Sequence, residues 1–559
     1  MSERFLLRRD RVVQAGAGTG KTHALLTQYL HLCAGLSAHG APLAPRAICA
    51  LTFTDKAAGE MRERLQRRTT AIVRATADAA SPAALPAALL QLQEVDLVQT
   101  AAALDRPLPG LAEWEQILAQ LPGAPIGTFH SFAASLLRRY AALAGLDPDF
   151  TLLDEDSARA LPVESSERVV LGALEGRLPP AAGAPDGSAQ PTAEQAALVV
   201  SEYGFSGGPS AEGGTVEALG HLHRLRGEEG KDAAGLADSY RPAVLEAELG
   251  RRRGAVLAGL AELARLAEQL GPGSAERVLE LVGLRDALAA SLQRPEEAAL
   301  AAALPLGELV LQGIKKLRAK KDGGAQDELA QLKERLKTAV EEITALHKSL
   351  RAAPLALALE GLLAPVSRAY DEAKRAASAL DFTDLLQKAR DLLRDHPAVR
   401  AEAQARFAVL LVDEFQDTNP LQAELLELLA GPLTGGAPRE PGRLYIVGDR
   451  KQSIYEFRGA DVAAYTTLCD RLLAGGADEE TLSRSYRSRP ALLHFVSALF
   501  ASVMSGEPPA GPASGTGQPA PPFFVRWDAQ RDPLQAVRPA DPAMPGPAVE
   551  LVRGAVPAA

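Results

Sequence analysis

The chain has 559 residues, a length that at roughly 150 residues per domain points to about four domains and excludes a single small binding module. Lys and Arg number 60 against 70 Asp and Glu, and the resulting net charge of -10 excludes a generally basic coat for nucleic acid or for an anionic membrane. A composition with 47% hydrophobic and 23% charged residues is that of a folded protein with several cores, not of a disordered one.

The N-terminal stretch from Met1 to Val13 is charged and lacks the apolar core of a signal peptide, and no run of about 18 uncharged apolar residues follows it. Cys33, Cys49 and Cys469 lie far apart, with no Cys-x-x-Cys pair to begin a zinc site or a disulfide framework. A reducing, cytoplasmic location without membrane contact is expected.

The first β-rich run, Arg11–Val13, leads into Ala15-Gly16-Ala17-Gly18-Thr19-Gly20-Lys21-Thr22 and then a helical pattern. This fits a phosphate-binding loop, with Ala15 where the first Gly is usual. Small residues let successive backbone N–H groups curl around a phosphate chain at a helix N-terminus. Lys21 can then reach the β and γ phosphates, and the Thr22 hydroxyl can face Mg²⁺. A second run, Ile48–Phe53, is again followed by a helical pattern. The cluster Arg62, Arg64, Arg67 and Arg68 on that helix reads as a solvated face.

From Ala71 to Pro122, and again from Thr215 to Leu380, the chain is rich in Ala, Leu, Glu and Arg and reads as helical. A Gly- and Pro-rich boundary at Leu178–Gly214 separates these regions. Leu329, Leu332, Leu336, Ala339, Ile343, Leu346 and Leu350 alternate steps of three and four, which predicts one long amphipathic helix, packed on intramolecular neighbours in preference to the alternative of a dimerising coiled coil. The preceding run from Ile314 to Lys321, IKKLRAKK, fits either a solvated helix face or a phosphate-contacting patch.

A third run, Phe407–Val412, ends in Asp413-Glu414, and a fourth, Leu444–Val447, lies beyond a second boundary at Gly431–Gly442. Strand, loop and helix in this rhythm predict a parallel α/β sheet whose chemistry lies at the strand carboxyl ends. Asp413 is expected to hold Mg²⁺ through water and Glu414 to polarise an attacking water as general base. Two adjacent acids favour hydrolysis over nucleotide storage. The amides of Gln416 and Gln452 are candidates for hydrogen bonds to a γ-phosphate or its attacking water. The stretch Gly506–Pro547 reads as loop or disorder.

Several blocks together resemble the UvrD/RecB/AddA group of superfamily one DNA helicases. Leu51-Thr52-Phe53-Thr54-Asp55-Lys56-Ala57-Ala58-Gly59-Glu60-Met61 is similar to motif Ia, and Gly127-Thr128-Phe129-His130-Ser131-Phe132 to motif Ib. Val412-Asp413-Glu414-Phe415-Gln416-Asp417-Thr418 resembles motif II, and the block from Val447 to Ala460 resembles motif III. Ser485-Tyr486-Arg487-Ser488 resembles motif IV. Leu380-Asp381-Phe382-Thr383-Asp384-Leu385-Leu386 is similar to a segment that precedes motif II.

The resemblance implies an ATP- and Mg²⁺-dependent 3′-to-5′ helicase or translocase of repair and recombination. Gln452 would sense the γ-phosphate, Arg487 would bring positive charge to it from a second motor domain, and Tyr486 would stack on adenine. Phe53, Phe129, Tyr455 and Phe457 would contact single-stranded DNA beside Lys56, His130 and Arg458. Rings beside cations suit stacking on unpaired bases along a phosphate-tracking groove, although Phe129 also fits ordinary packing under the sheet.

The implied fold is an α/β P-loop NTPase (RecA-like) domain formed by residues 1–150 and 375–478. A helical insertion would occupy 151–374, and a partial second RecA-like domain with a Pro/Gly-rich tail would occupy 479–559. The family's motifs V and VI, its upstream adenine-reading glutamine segment and a nuclease signature are not found in the sequence. The chain is therefore expected to correspond to the N-terminal part of such an enzyme. The alternatives are a non-unwinding scaffold that binds ATP and DNA, and part of an AddA/RecB-type helicase-nuclease. The expected partners are single-stranded or duplex-junction DNA and a protein like AddB or RecC.

Overall fold

A computed structural model describes residues 4–178, 192–207, 213–228, 237–270, 272–292, 297–319, 326–431, 441–455, 460–503 and 535–537. The boundary stretches Leu178–Gly214 and Gly431–Gly442 fall partly outside them, and Gly506–Pro547 almost wholly. The chain divides into two compact units: Met1–Leu152 with Glu228–Gly230 and Ser378–Ala559, and Leu153–Gly227 with Lys231–Ala377.

The first unit carries strands β1 (Arg11–Ala15), β2 (Ile48–Thr52), β3 (Ile126–Thr128), β4 (Thr151–Leu152), β5 (Ala379–Leu380), β6 (Val409–Val412), β7 (Leu444–Gly448), β8 (Asp478–Leu482), β9 (Arg484–Ser485) and β10 (Gln535–Ala536). Six of them form one parallel sheet in the order β3-β2-β6-β7-β1-β8. Every residue of β2, β6 and β7 is buried, as expected of parallel strands covered on both faces. Period-two alternation divides them between two cores. Cys49, Leu51, Leu410, Val412, Leu444 and Ile446 enter one, and Ile48, Ala50, Val409, Leu411, Tyr445 and Val447 the other.

The strand β8 has the sequence DEETL and a half-exposed pattern, suited to a sheet edge. It is held to β1 partly by side chains: Arg11 donates to Asp478 at 3.0 Å and Gln14 to Glu479 at 2.8 Å. The expected domain boundary at 478/479 thus falls at the beginning of a strand that lies in the first sheet.

The second unit is helical. Its longest helix, Gln326–Ala376, contains the predicted repeat, and Leu329, Leu332, Leu336, Ala339, Ile343 and Leu346 are buried with Val256, Leu260 and Leu263 of helix Pro242–Leu266. The segment Ala352–Ala376 is long and apolar enough to cross a bilayer by composition. Its Ala358, Leu362, Leu363 and Val366 are buried against Val169, Val170, Val199 and Leu219.

The basic run before the long helix is partly a helix terminus. Arg318 donates to the carbonyls of Lys315 and Leu317 at 2.9 Å, and Lys333 donates to Leu317 at 2.8 Å. Cations at these orphan carbonyls stabilise the end of helix Glu297–Lys315. Lys315 and Lys316 are exposed, while Lys320 and Lys321 lie outside the described residues.

Candidate nucleotide and DNA site

Parallel strands carry their following loops to one edge of the sheet, so the segments after β1, β6 and β7 meet there. After β1 the chain turns through Gly18 at φ +72° and Gly20 at φ +88°, conformations that glycine adopts without a Cβ penalty. Thr19 closes the turn, its hydroxyl donating to Gly16 O at 2.8 Å. Gly20 caps helix Lys21–Cys33 with no side-chain hydrogen bond, leaving the first helical N–H groups to face the loop. Ala15 ends β1 with its side chain in the core, so it offers the loop backbone only.

The Lys21 side chain is buried and donates to the Glu414 carboxylate and, at 3.2 Å, to Gln452 Oε1. Thr22 Oγ1 lies 3.5 Å from Asp413 Oδ2. Burial, reinforced by the neighbouring charge of Glu414 and opposed by Lys21, pushes the Asp413 carboxyl up to about 6. Glu414 has φ +49°, a left-handed conformation that is rare for a residue with a Cβ. Such backbone strain concentrates at functional sites.

These residues fit Mg²⁺-ATP chemically. A hydroxyl and a carboxylate supply hard oxygen ligands, the glycine turn leaves room against the backbone, and Lys21 is held by groups that phosphate oxygens can replace.

Gln416 is not directed at a phosphate. It is 2% exposed and its amide is fully engaged. Its Oε1 accepts from Asp449 N at 2.8 Å, and its Nε2 donates to Glu414 at 2.8 Å and to Asp417 at 3.2 Å. It ties the turn after β6 to the turn after β7. Gln452 also donates to Asp449 Oδ2 at 2.7 Å, which orients its oxygen towards Lys21.

Ser485 at the end of β9, with Tyr486 and Arg487 after it, lies over the glycine turn within the same compact unit. The Tyr486 N–H donates to Gly18 O at 2.9 Å, and a Cβ built on Gly18 would stand 2.5 Å from Arg487 Cβ. Tyr486 and Arg487 are exposed beside the loop.

On the adjoining surface the Phe53 and Tyr455 rings stack at 5.0 Å and 30°. Lys56 is exposed in the first turn of helix Asp55–Asp78, which Thr54 caps through Ala57 N at 3.1 Å. Phe457 and Arg458 lie outside the described residues.

Phe129 corrects the expectation of a DNA-facing ring. It is 1% exposed and packed in the core with Leu51, Phe132 and Val412, so exposing it would open the sheet. The exposed ring nearby is Phe382, 54% accessible at the beginning of helix Phe382–Asp395. It stands edge-on to His130 at 5.4 Å. Burial lowers the His130 pKa, with Asp55 opposing.

The arginines after β2 are not one solvated face. Arg62 donates to Ile126 O at 2.6 Å, closing the outer edge of β3, and Arg68 pairs with buried Glu94 at 2.6 Å. Arg64 and Arg67 form exposed pairs with Glu60 and Glu63.

Residues 4–472 match the family model of the UvrD/REP helicase N-terminal domain. The chain is 30% identical over 540 residues to an ATP-dependent helicase/nuclease subunit of the AddA type from Desulforudis audaxviator, covering 89% of this chain and 39% of that protein. Proteins of the same name are 27% identical in Geobacillus kaustophilus and in Streptococcus sanguinis, each with 89% of this chain and 38% of the relative covered. The chain thus spans about two fifths of the length of the curated relatives it matches.

Proposed function

The chain belongs to the UvrD/REP helicase family, and from that premise we propose that it acts as the ATP-dependent motor portion of an AddA-type DNA helicase, moving 3′ to 5′ along single-stranded DNA. The observation that carries this reading is Lys21 held between Glu414 and Gln452, because it joins the segments after three strands around one ammonium. In this reading the six-stranded sheet, β8 included, belongs to the first motor domain, 151–374 is an inserted helical domain, and a second motor domain begins beyond β8 rather than at 479. The protein acts in the cytoplasm, on single-stranded or junction DNA, with an AddB-like partner.

Mg²⁺-ATP, when bound, supplies the phosphoanhydride whose hydrolysis drives the motor. Lys21 would exchange Glu414 for phosphate oxygens, and Thr22 and Asp413 would hold the metal. Glu414, released from Lys21, accepts the proton of the attacking water, while Gln452 orients against the terminal phosphate. Tyr486 covers the base and Arg487 adds charge beside Gly18. Phe53, Tyr455 and Phe382 offer stacking surfaces for unpaired bases, with Lys56 near the phosphates.

The test is ATP hydrolysis with and without single-stranded DNA, together with unwinding of duplexes bearing a 3′ or a 5′ single-stranded tail. DNA-stimulated hydrolysis and selective unwinding of the 3′-tailed duplex support the reading. Binding of both ligands without turnover supports a non-unwinding scaffold instead, and indifference to both ligands contradicts either one. The nuclease named in the relatives is a property of those proteins, whose length this chain covers only in part.

A further inference from the structure

Asp417 is a buried carboxylate next to the nucleotide site without an assigned task. It is 7% exposed, and its Oδ1 has no hydrogen-bond partner among the described residues. Its Oδ2 accepts from Gln416 Nε2 at 3.2 Å, and the backbone amide of Ile454 faces the same carboxylate. A buried carboxylate with one bare oxygen is costly, so its retention calls for a physical reason.

The reason lies in what it joins. On one side, Gln416 Nε2 also donates to Glu414 at 2.8 Å, and Glu414 holds Lys21. On the other side, Ile454 precedes Tyr455, whose ring stacks on Phe53. A continuous line therefore runs from the ammonium that would meet a terminal phosphate, through Glu414, Gln416 and Asp417, to the backbone that carries a base-stacking ring. Gln452, which accepts from Lys21 and stands two residues before Ile454, offers a parallel route to the same segment. When Lys21 leaves Glu414, the Gln416 amide and then the Asp417 carboxylate must readjust. The bare Oδ1 leaves Asp417 an acceptor with which to take a new donor.

We propose that Asp417 is the positioning residue that couples nucleotide occupancy at Lys21 and Glu414 to the placement of the Tyr455 ring on single-stranded DNA. It touches neither ligand. The inference rests on the functional reading above, and its consequence is reciprocal: each ligand changes the affinity of the other by one factor, set through Asp417.

The experiment measures that factor on the full 559-residue chain. Affinity for a fluorescein-labelled oligothymidylate of about 16 nucleotides is measured with and without Mg²⁺ and the non-hydrolysable analogue adenylyl imidodiphosphate. The wild-type chain is expected to show a change of about 5–150-fold, the usual range of coupling between sites. Asp417→Asn replaces a carboxylate oxygen with a donor, and Asp417→Ala removes both oxygens. In each variant the factor is expected to fall to within about twofold of unity, while each ligand alone keeps its affinity to within about threefold.

A wild-type factor retained in both variants overturns the proposal. So does a parallel loss of both affinities at an unchanged factor, which assigns Asp417 a purely structural role. A wild-type chain that binds both ligands with no coupling also overturns it, leaving the functional reading intact. A wild-type chain that binds neither ligand contradicts the functional reading itself.

Discussion

Lys21 donates to Gln452 Oε1 at 3.2 Å across 431 positions of sequence. The bond exists because β1 and β7 are adjacent and parallel, so the loop after one and the turn after the other open at the same edge. Glu414 reaches the same ammonium from the turn after β6. The cost of burying Lys21 is offset by an acid and an amide, which in the proposed function give way to a bound phosphate.

The two raised carboxyls give a pH dependence to stability. Asp413 and Asp417 are both pushed up to about 6 from 3.8, chiefly by burial and then by Glu414. Between those values the folded chain binds more protons than the unfolded one, so these groups make stability fall as pH rises from 4 towards 6 and no further above it. In metal-free buffer, the melting temperature of Asp413→Asn relative to wild type should therefore increase across this interval. A constant difference from pH 4 to 6 would contradict the assignment.

Gly18→Ala should damage the loop in two ways. A Cβ would stand 2.5 Å from Arg487 Cβ, and the backbone would hold φ +72° with a side chain. A stability loss of about 1–3 kcal/mol and weaker Mg²⁺-ATP binding are expected. Thermal melting and calorimetric titration check them together.

Rings in the core and rings on the surface should separate in mutagenesis. Phe129→Leu is expected to lower stability by about 1–2 kcal/mol and to leave single-stranded DNA affinity unchanged. Phe382→Ala and Tyr455→Ala are expected to lower that affinity by about 1–3 kcal/mol each, with little change in melting temperature. Fluorescence anisotropy at fixed salt decides between the two behaviours.

The strands β1, β2, β6 and β7 were legible because each is an apolar run followed by a loop of special composition. Lys21, Thr22, Asp413, Glu414 and Gln452 stood out because few roles other than phosphate chemistry require those types at strand ends. Other features depended on partners distant in sequence. The strand β3 is three residues long, and β8 reads as a polar surface until Arg11 and Gln14 are seen beside it. Nothing local distinguishes the core ring of Phe129 from the open ring of Phe382. Arg68 looks solvated until Glu94 is placed against it, and Gln416 looks like a phosphate ligand until Asp449 claims its oxygen.

The most direct test of the central claim is calorimetric titration of Mg²⁺-ATP into the wild-type chain and into Lys21→Ala, with melting curves to verify that both are folded. Saturable binding by the wild type and a loss of at least about tenfold in the variant are predicted, because the variant lacks the one ammonium in the loop. Equal affinity in the two folded proteins would contradict the site, and with it the reading of the chain as an ATP-dependent motor.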